Sequence, residues 1–386
     1  MNTRQVAHLL GRNQGPEFFF QQAWSELGNV VIPKSVNLNR PLERFHMVLR
    51  GRVVIATNNM ASTSPEALQN LIQNFKLTGT HSQFKSITPI NLTGADAFAW
   101  PYLFKSRPGG ASSLYINGTR VDPLGVPAGL PLATFGNTGT YDFEVHYNIP
   151  VLPVLPAAAK VAAIPWLYQQ KDWGDSLQIQ LQFGDHTSLG TPAGGGTAFT
   201  FSAFGSGAGS PQVYLFTNYE ILGALANQIN TAVVIRSTQQ VPSAIISANS
   251  NTLQRLQLLQ KQKTLNVVLK AGTVLAGTST GVTAYGTLSD TIYDQTQLMV
   301  DNKPIRNNFS NFAQKEYAGY AFDSVLPQGY LNFPFIDSMN PLTAYPADQL
   351  SGGSTYEIDS AIIGGAAGNL SEIIQEQSLG TPGLLQ

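Results

Sequence analysis

The sequence predicts an all-β protein of two similar barrels in tandem, and three observations carry that expectation. Runs of residues alternate apolar and polar, the composition is poor in charge and rich in Gly and Pro, and turn chemistry recurs at nearly one spacing. At 386 residues the chain is long for one domain, and two domains of ordinary size would each have room for a core. Charged residues make up 12% of the chain, against a usual value of about 25%, while 36 Gly and 23 Pro favour short strands and turns over long helices.

Composition also narrows the function. A net charge of −1 leaves no basic footprint of the kind that coats nucleic acid, so direct nucleic-acid binding is not expected. Without cysteine there is neither a disulfide framework nor a thiolate metal site, and stability must come from packing. A surface this poor in charge is unusual for a freely diffusing monomer, so much of it is expected to face other copies. Residues 1–11 carry Arg4 and lack the apolar core and cleavage site of a secretory signal, and no run approaches about 20 apolar residues, so synthesis and folding in the cytosol are expected.

Residues 1–26 read as an N-terminal arm: a short helical start through Val6, Leu9 and Leu10, a break at Gly15 and Pro16, then aromatics. The arm has two readings. Its aromatics pack under the first barrel or on a neighbouring subunit, or, with the arginines, they meet a lipid surface. The residues at stake are Arg4, Arg12, Phe18, Phe19, Phe20 and Trp24.

Residues 44–55 alternate Phe45, Met47, Leu49, Gly51, Val53 and Ile55 with a second, largely basic face, which predicts a half-buried strand. Residues 177–183 alternate Leu, Ile, Leu and Phe with Gln at every second place, the clearest strand of all. Residues 213–219, 265–269 and 330–335 are further strands. Helices are expected to be few: Ser64 and Pro65 suit the cap and first turn of a helix carrying Leu68, Leu71, Ile72 and Phe75, and a second is expected within residues 308–320.

Two segments recur. Residues 114–119 (Leu-Tyr-Ile-Asn-Gly-Thr) are similar to residues 298–303 (Leu-Met-Val-Asp-Asn-Lys), with Val300 lying 184 residues after Ile116. Residues 139–143 (Gly-Thr-Tyr-Asp-Phe) are similar to residues 329–333 (Gly-Tyr-Leu-Asn-Phe), 190 residues apart. The repeat divides the chain into an arm at 1–26, a first barrel at 27–230 and a second at 231–386. Each half has the length that eight strands with elaborated loops need, so the expected architecture is two tandem eight-stranded antiparallel jelly rolls, with a short N-terminal helical arm and a few short helices in loops.

On residues 47–59 (Met-Val-Leu-Arg-Gly-Arg-Val-Val-Ile-Ala-Thr-Asn-Asn), the turn at Asp301 and Asn302, residues 326–330 (Leu-Pro-Gln-Gly-Tyr) and residues 147–150 (Tyr-Asn-Ile-Pro) before a Pro-rich loop, the chain resembles the double jelly-roll major capsid proteins. These belong to tailless icosahedral viruses with an internal membrane, the tectivirus-like lineage. The resemblance covers nearly the whole chain after residue 26. It implies a homotrimer with a pseudo-hexagonal footprint that tiles an icosahedral shell, and an arm pointing to the membrane side. Neighbouring capsomers and minor capsid proteins would be its partners, the virion its location after synthesis in the host cytoplasm, and no cofactor is implied.

No motif points firmly to chemistry. The five histidines, His8, His46, His81, His146 and His186, show no metal-binding spacing. Residues 277–281 (Gly-Thr-Ser-Thr-Gly) spell a nucleophile elbow but are not followed by a helical pattern, and residues 194–196 and 205–209 read as glycine-rich loop tips. The acid pairs Asp172 with Asp175 and Asp290 with Asp294 read as turn formers before glycosidase carboxylates. The asparagines of the Asn-X-Ser/Thr triplets, Asn91, Asn117, Asn308 and Asn369, are expected to be unmodified. The competing reading is a carbohydrate-binding or spike-type jelly-roll protein with Trp100, Trp166 and Trp173 as sugar platforms; a porin is disfavoured by its 23 prolines.

Overall fold

The computed structural model describes residues 16–56, 60–103, 112–121, 138–153, 166–194, 198–219, 232–248, 253–257, 263–300, 303–304, 309–310, 315, 326–334 and 356–380. The strands of the first half are β1 (Glu17–Ala23), β2 (Asn29–Val31), β3 (Leu42–Ile55), β4 (Met60–Thr63), β5 (Ile72–His81), β6 (Lys85–Leu92), β7 (Ser113–Ile116), β8 (Thr119–Val121), β9 (Gly139–Pro150), β10 (Gln178–Phe183), β11 (Gly190–Pro192), β12 (Phe199–Ser202) and β13 (Gln212–Tyr219). One sheet runs β1-β13-β3-β9 and continues into the hairpin β7-β8; the facing one runs β2-β10-β5-β6. Apart from the β5-β6 hairpin and the inserted β7-β8 hairpin, the strands of these two sheets cross from one face to the other along the chain, the pattern of a jelly roll built from two Greek keys.

The second half repeats that pattern. Its strands are β14 (Val233–Gln240), β15 (Leu253–Gln257), β16 (Lys263–Val274), β17 (Tyr285–Leu288), β18 (Tyr293–Val300), β19 (Lys303–Pro304), β20 (Phe309–Ser310), β21 (Tyr330–Pro334), β22 (Tyr356–Ile362) and β23 (Asn369–Leu379). The order β14-β23-β16-β21 corresponds strand for strand to β1-β13-β3-β9, and β15-β22-β18-β19 corresponds to β2-β10-β5-β6. The two barrels are not merely strung together. β6 of the first pairs in parallel with β14 of the second, Arg236 opposite Ile90 and Ser237 opposite Asn91, so one nine-stranded sheet runs through both.

The expected strands at 44–55, 177–183, 213–219, 265–269 and 330–335 appear as β3, β10, β13, β16 and β21. β3 keeps its alternation: Phe45, Met47, Leu49, Val53 and Ile55 are buried in the first core. Of the two sequence repeats, residues 139–143 and 329–333 fall on topologically equivalent strands, since β9 pairs with β3 as β21 pairs with β16. The other repeat is local turn chemistry. Residues 114–119 form the inserted hairpin β7-β8, with Asn117 (φ 49°) and Gly118 (φ 76°) in the positive-φ pair of a type I′ turn, whereas β18-β19 is the counterpart of β5-β6.

Two expectations are corrected. Residues 64–75 do not form a helix: a turn leads to a 3₁₀ turn at Gln69–Leu71 and then directly into β5. The Ser64 Oγ accepts from the Glu66 backbone N–H (3.1 Å) and from Asn70 Nδ2 (3.2 Å), fixing a tight turn that leaves Leu68, Leu71, Ile72 and Phe75 buried without helical backbone. Within 308–320, Phe309–Ser310 pairs with β18 as a strand and Lys315 has helical backbone; the other residues of the expected second helix lie outside the described ones. Residues 17–23 of the expected arm are β1, paired along its length with β13. The longest helix among the described residues, which the sequence did not announce, is α1 (Gly94–Leu103), capped by Thr93, whose Oγ1 accepts from the Asp96 N–H at 3.1 Å.

Candidate functional site: the seam between the barrels

The sheet β14-β23-β16-β21 is buried on both faces, and its two faces differ. Val267, Leu269, Ala271, Leu331, Phe333 and Ile373 join the core of the second barrel. The neighbours in the pleat, Arg236, Thr238, Asn266, Lys270, Tyr330, Glu372 and Glu376, turn the other way, toward the first barrel. Pairing register lines them up: Lys270 lies opposite Tyr330 on one side and Glu372 on the other, and Arg236 opposite Glu376.

Two polar knots result. In the first, Lys270 Nζ is 2.8 Å from Glu66 Oε1, 3.0 Å from Asp96 Oδ1 and 3.8 Å from Glu372 Oε2, and 4.5 Å from the Tyr285 ring centroid. Glu66 and Asp96 belong to the first barrel, the others to the second. The Tyr330 hydroxyl donates to Glu66 Oε1 at 2.6 Å, and Thr238 Oγ1 donates to Asp96 Oδ2 at 2.7 Å. Burial alone would strip the Lys270 charge, but Asp96 and Glu66 hold its pKa well above the usual lysine range. Burial, then the negative charge of Asp96, pushes the Glu372 carboxyl up to about 8, despite the opposing pull of Lys270.

In the second knot Arg236, 1% exposed, donates from Nε to Glu376 Oε1 (2.8 Å) and from its two terminal nitrogens to the carbonyls of Pro150 and Leu152 at the end of β9. Asn266 Nδ2 donates to the second oxygen of Glu376 at 2.6 Å, and the guanidinium stands 5.6 Å from the Trp100 ring centroid of α1. A planar fork with several donors suits such a junction better than an ammonium. A smaller contact finishes the seam: the Ser279 hydroxyl donates to Asp185, and its N–H donates to Thr187 Oγ1 at 2.9 Å.

That contact disposes of the serine motif. Ser279 lies between β16 and β17 in a turn, not at a strand-to-helix elbow, and its hydroxyl is engaged by an aspartate. Asp290 is a turn former, accepting from the Gly329 N–H at 2.7 Å and paired with Lys315 at 2.6 Å. The glycines at 205 and 209 sit in a positive-φ turn whose Gly205 N–H donates to Asp142 at 3.0 Å. Among the described residues, no group of three His, Cys, Asp or Glu is placed to hold a metal ion. Trp100, Trp166 and Trp173 are at most 3% exposed, so none offers a ring face to a sugar.

The arm residues divide. Phe19 and Trp24 are buried, the latter donating from Nε1 to the Leu71 carbonyl at 2.9 Å; Phe20 is half-buried. Only Phe18, 60% exposed, is presented outward among the described aromatics of this segment, edge-on to Phe216. Arg4 and Arg12 lie outside the described residues.

On the outer face of the first barrel the basic side of β3 meets acids on β9. Arg50 pairs with Glu144 (2.7 Å) and Arg52 with Asp142 (2.7 and 3.0 Å). His46 and His146, 100 residues apart in sequence, stand 3.1 Å apart, and burial, then His146, then Arg44, lowers the pKa of His46 to about 4.

No protein-family model matches the chain, and no curated protein matches it. Solved structures do, over nearly the full length of both partners. The STIV major capsid protein superposes with a TM-score of 0.56 at 14% identity, covering 94% of this chain and 95% of its own. The major capsid protein P2 of bacteriophage PM2 gives 0.53 at 8% identity, covering 97% and 100%. The Faustovirus major capsid protein gives 0.52 at 9% identity, covering 96% and 90%. In strand order and in these likenesses, the chain has the double jelly-roll fold of viral major capsid proteins.

Proposed function

We propose that the chain is a major capsid protein: a structural tile, not an enzyme, that trimerises into pseudo-hexagonal capsomers and tiles an icosahedral shell around an internal membrane. The observation that carries the reading is the fusion of two barrels of one strand order into a single block through a shared sheet and a buried seam. Such a block presents two near-equivalent lobes, and three copies about a threefold axis give six. The low charge of the chain, 12%, agrees with a surface largely covered by its own kind. Partners are neighbouring capsomers and minor capsid proteins; assembly is by burial of surface, with interfaces of obligate size, on the order of 2,000 Å² or more. The exposed Phe18 and the residues before it are the segment assigned to a neighbouring subunit or to lipid.

Light scattering of the purified, untagged protein tests the reading, followed by electron microscopy of the same sample. Three times the 41.5 kDa chain mass and six-lobed particles are expected. A monomer that persists at high concentration would overturn the proposal. Removal of residues 1–15, which leaves β1 whole, tests the lipid role, which is wrong if shells still associate with membrane.

A further inference from the structure

The first knot holds more than an ion pair requires. We propose that Lys270 and Asp96 condense, without any helper protein, into an isopeptide bond that ties the second barrel covalently to the first. The inference does not rest on the capsid reading.

Three observations carry it. Lys270 Nζ is 3.0 Å from Asp96 Oδ1 and 2.8 Å from Glu66 Oε1, with the lysine and aspartate side chains at most 1% exposed. Amine, carboxyl and a second carboxylate able to relay protons are therefore assembled before any reaction, the arrangement in which held reactants gain most. Next, the far oxygen of Asp96, Oδ2, accepts the Thr238 hydroxyl at 2.7 Å, so a donor already sits where negative charge collects when an amine adds to Cγ. Finally, Glu66 Oε2 makes no hydrogen bond to a described residue, and a cavity of about 10 Å³ lined by Glu66, Lys270, Tyr285 and Glu372 has room for about one water.

The step balances with these groups alone. The Lys270 ammonium gives one proton directly to Oδ1 of Asp96, to which it already donates at 3.0 Å. The freed nitrogen lone pair attacks Cγ and forms the C–N bond, with the developing charge on Oδ2 held by Thr238. Nitrogen sheds a second proton through Glu66 as the Cγ–Oδ1 bond breaks, and Oδ1 leaves with both protons as water. Glu66 ends as the carboxylate it began as, and Oδ2 becomes the amide oxygen. An ammonium and a carboxylate, each costly to bury, are replaced by a neutral amide in a site with little water to reverse it. The other carboxylates are less suited as the electrophile. Glu66 Oε1 is engaged as an anion by the Tyr330 phenol, and Glu372 stands at 3.8 Å.

The test is the mass of the full-length chain, purified folded and then dissolved in denaturant. A mass one water below that of the sequence is expected, with a branched peptide joining the segments that carry Lys270 and Asp96 after proteolysis. Asp96→Ala and Lys270→Arg should each restore the sequence mass, and Glu66→Gln should slow conversion by about a hundredfold or more. Folded wild-type protein of full sequence mass overturns the proposal whatever the variants do. A branch through Glu66 or Glu372 in place of Asp96 overturns it as well.

Discussion

Lys270 in the seam and Arg50 on the outer face of the first barrel both meet carboxylates from other elements, and they differ in access to water. The lysine is 1% exposed and faces Glu66, Asp96 and Glu372, while the arginine is 43% exposed and faces Glu144. In the seam there is room for about one water to stand in for a lost partner. On the outer face water and salt stand ready to do so. The same side-chain chemistry therefore fixes one region and merely decorates the other.

Substitutions at the two places should separate them. Lys270→Met leaves Asp96 and Glu66 buried without their lysine partner and should cost about 3–5 kcal/mol in denaturant unfolding. A loss under about 1 kcal/mol would mean that the seam is wetter than its geometry. An intermediate effect comes from Glu372. Its folded pKa of about 8 lies above the ordinary 4.5, so the folded state binds the extra proton between those values and stability from this group falls as pH rises through that window. Melting temperature followed from about pH 6 to about pH 9 should decline in the wild type and decline less in Glu372→Gln.

His46 works in the opposite direction and at the outer face. Lowered from 6.5 to about 4, it stays neutral in the folded state while the unfolded chain takes up a proton, so its contribution is lost as pH falls through that range. His46→Gln should flatten the acid limb of the stability profile; an unchanged limb would place the sensitivity elsewhere, among the carboxylates. The smallest effect is expected for Arg50→Ala, below about 1 kcal/mol and shrinking with added salt. A loss as large as that of Lys270→Met would erase the distinction between the two regions.

Much of the fold was legible because its strands have one wet face. β3 and β10 alternate cleanly, and the repeated Gly-X-X-X-Phe segments mark equivalent strands β9 and β21. β23 was not legible, although it is central: ten of its eleven residues are buried, yet it reads Asn-Leu-Ser-Glu-Ile-Ile-Gln-Glu-Gln-Ser-Leu. One face serves a core and the other a polar seam, so neither alternation nor an apolar run survives. The partners of the first knot are up to 306 residues apart, from Glu66 to Glu372, and only the pairing of strands brings them together. Helix α1 was missed because nine of its ten residues are buried, which leaves no polar stripe to reveal a period. The helix expected at 64–75 had the spacing but not the backbone, since its apolar residues also satisfy a turn followed by a strand.

The parallel pairing of β6 with β14 has a mechanical consequence. Backbone hydrogen bonds run without a break from one barrel into the next, so bending the block at its waist means tearing a ladder rather than opening a hinge. A curved surface assembled from such blocks has to take its curvature at the joints between them, as masonry does, while each stone keeps its shape.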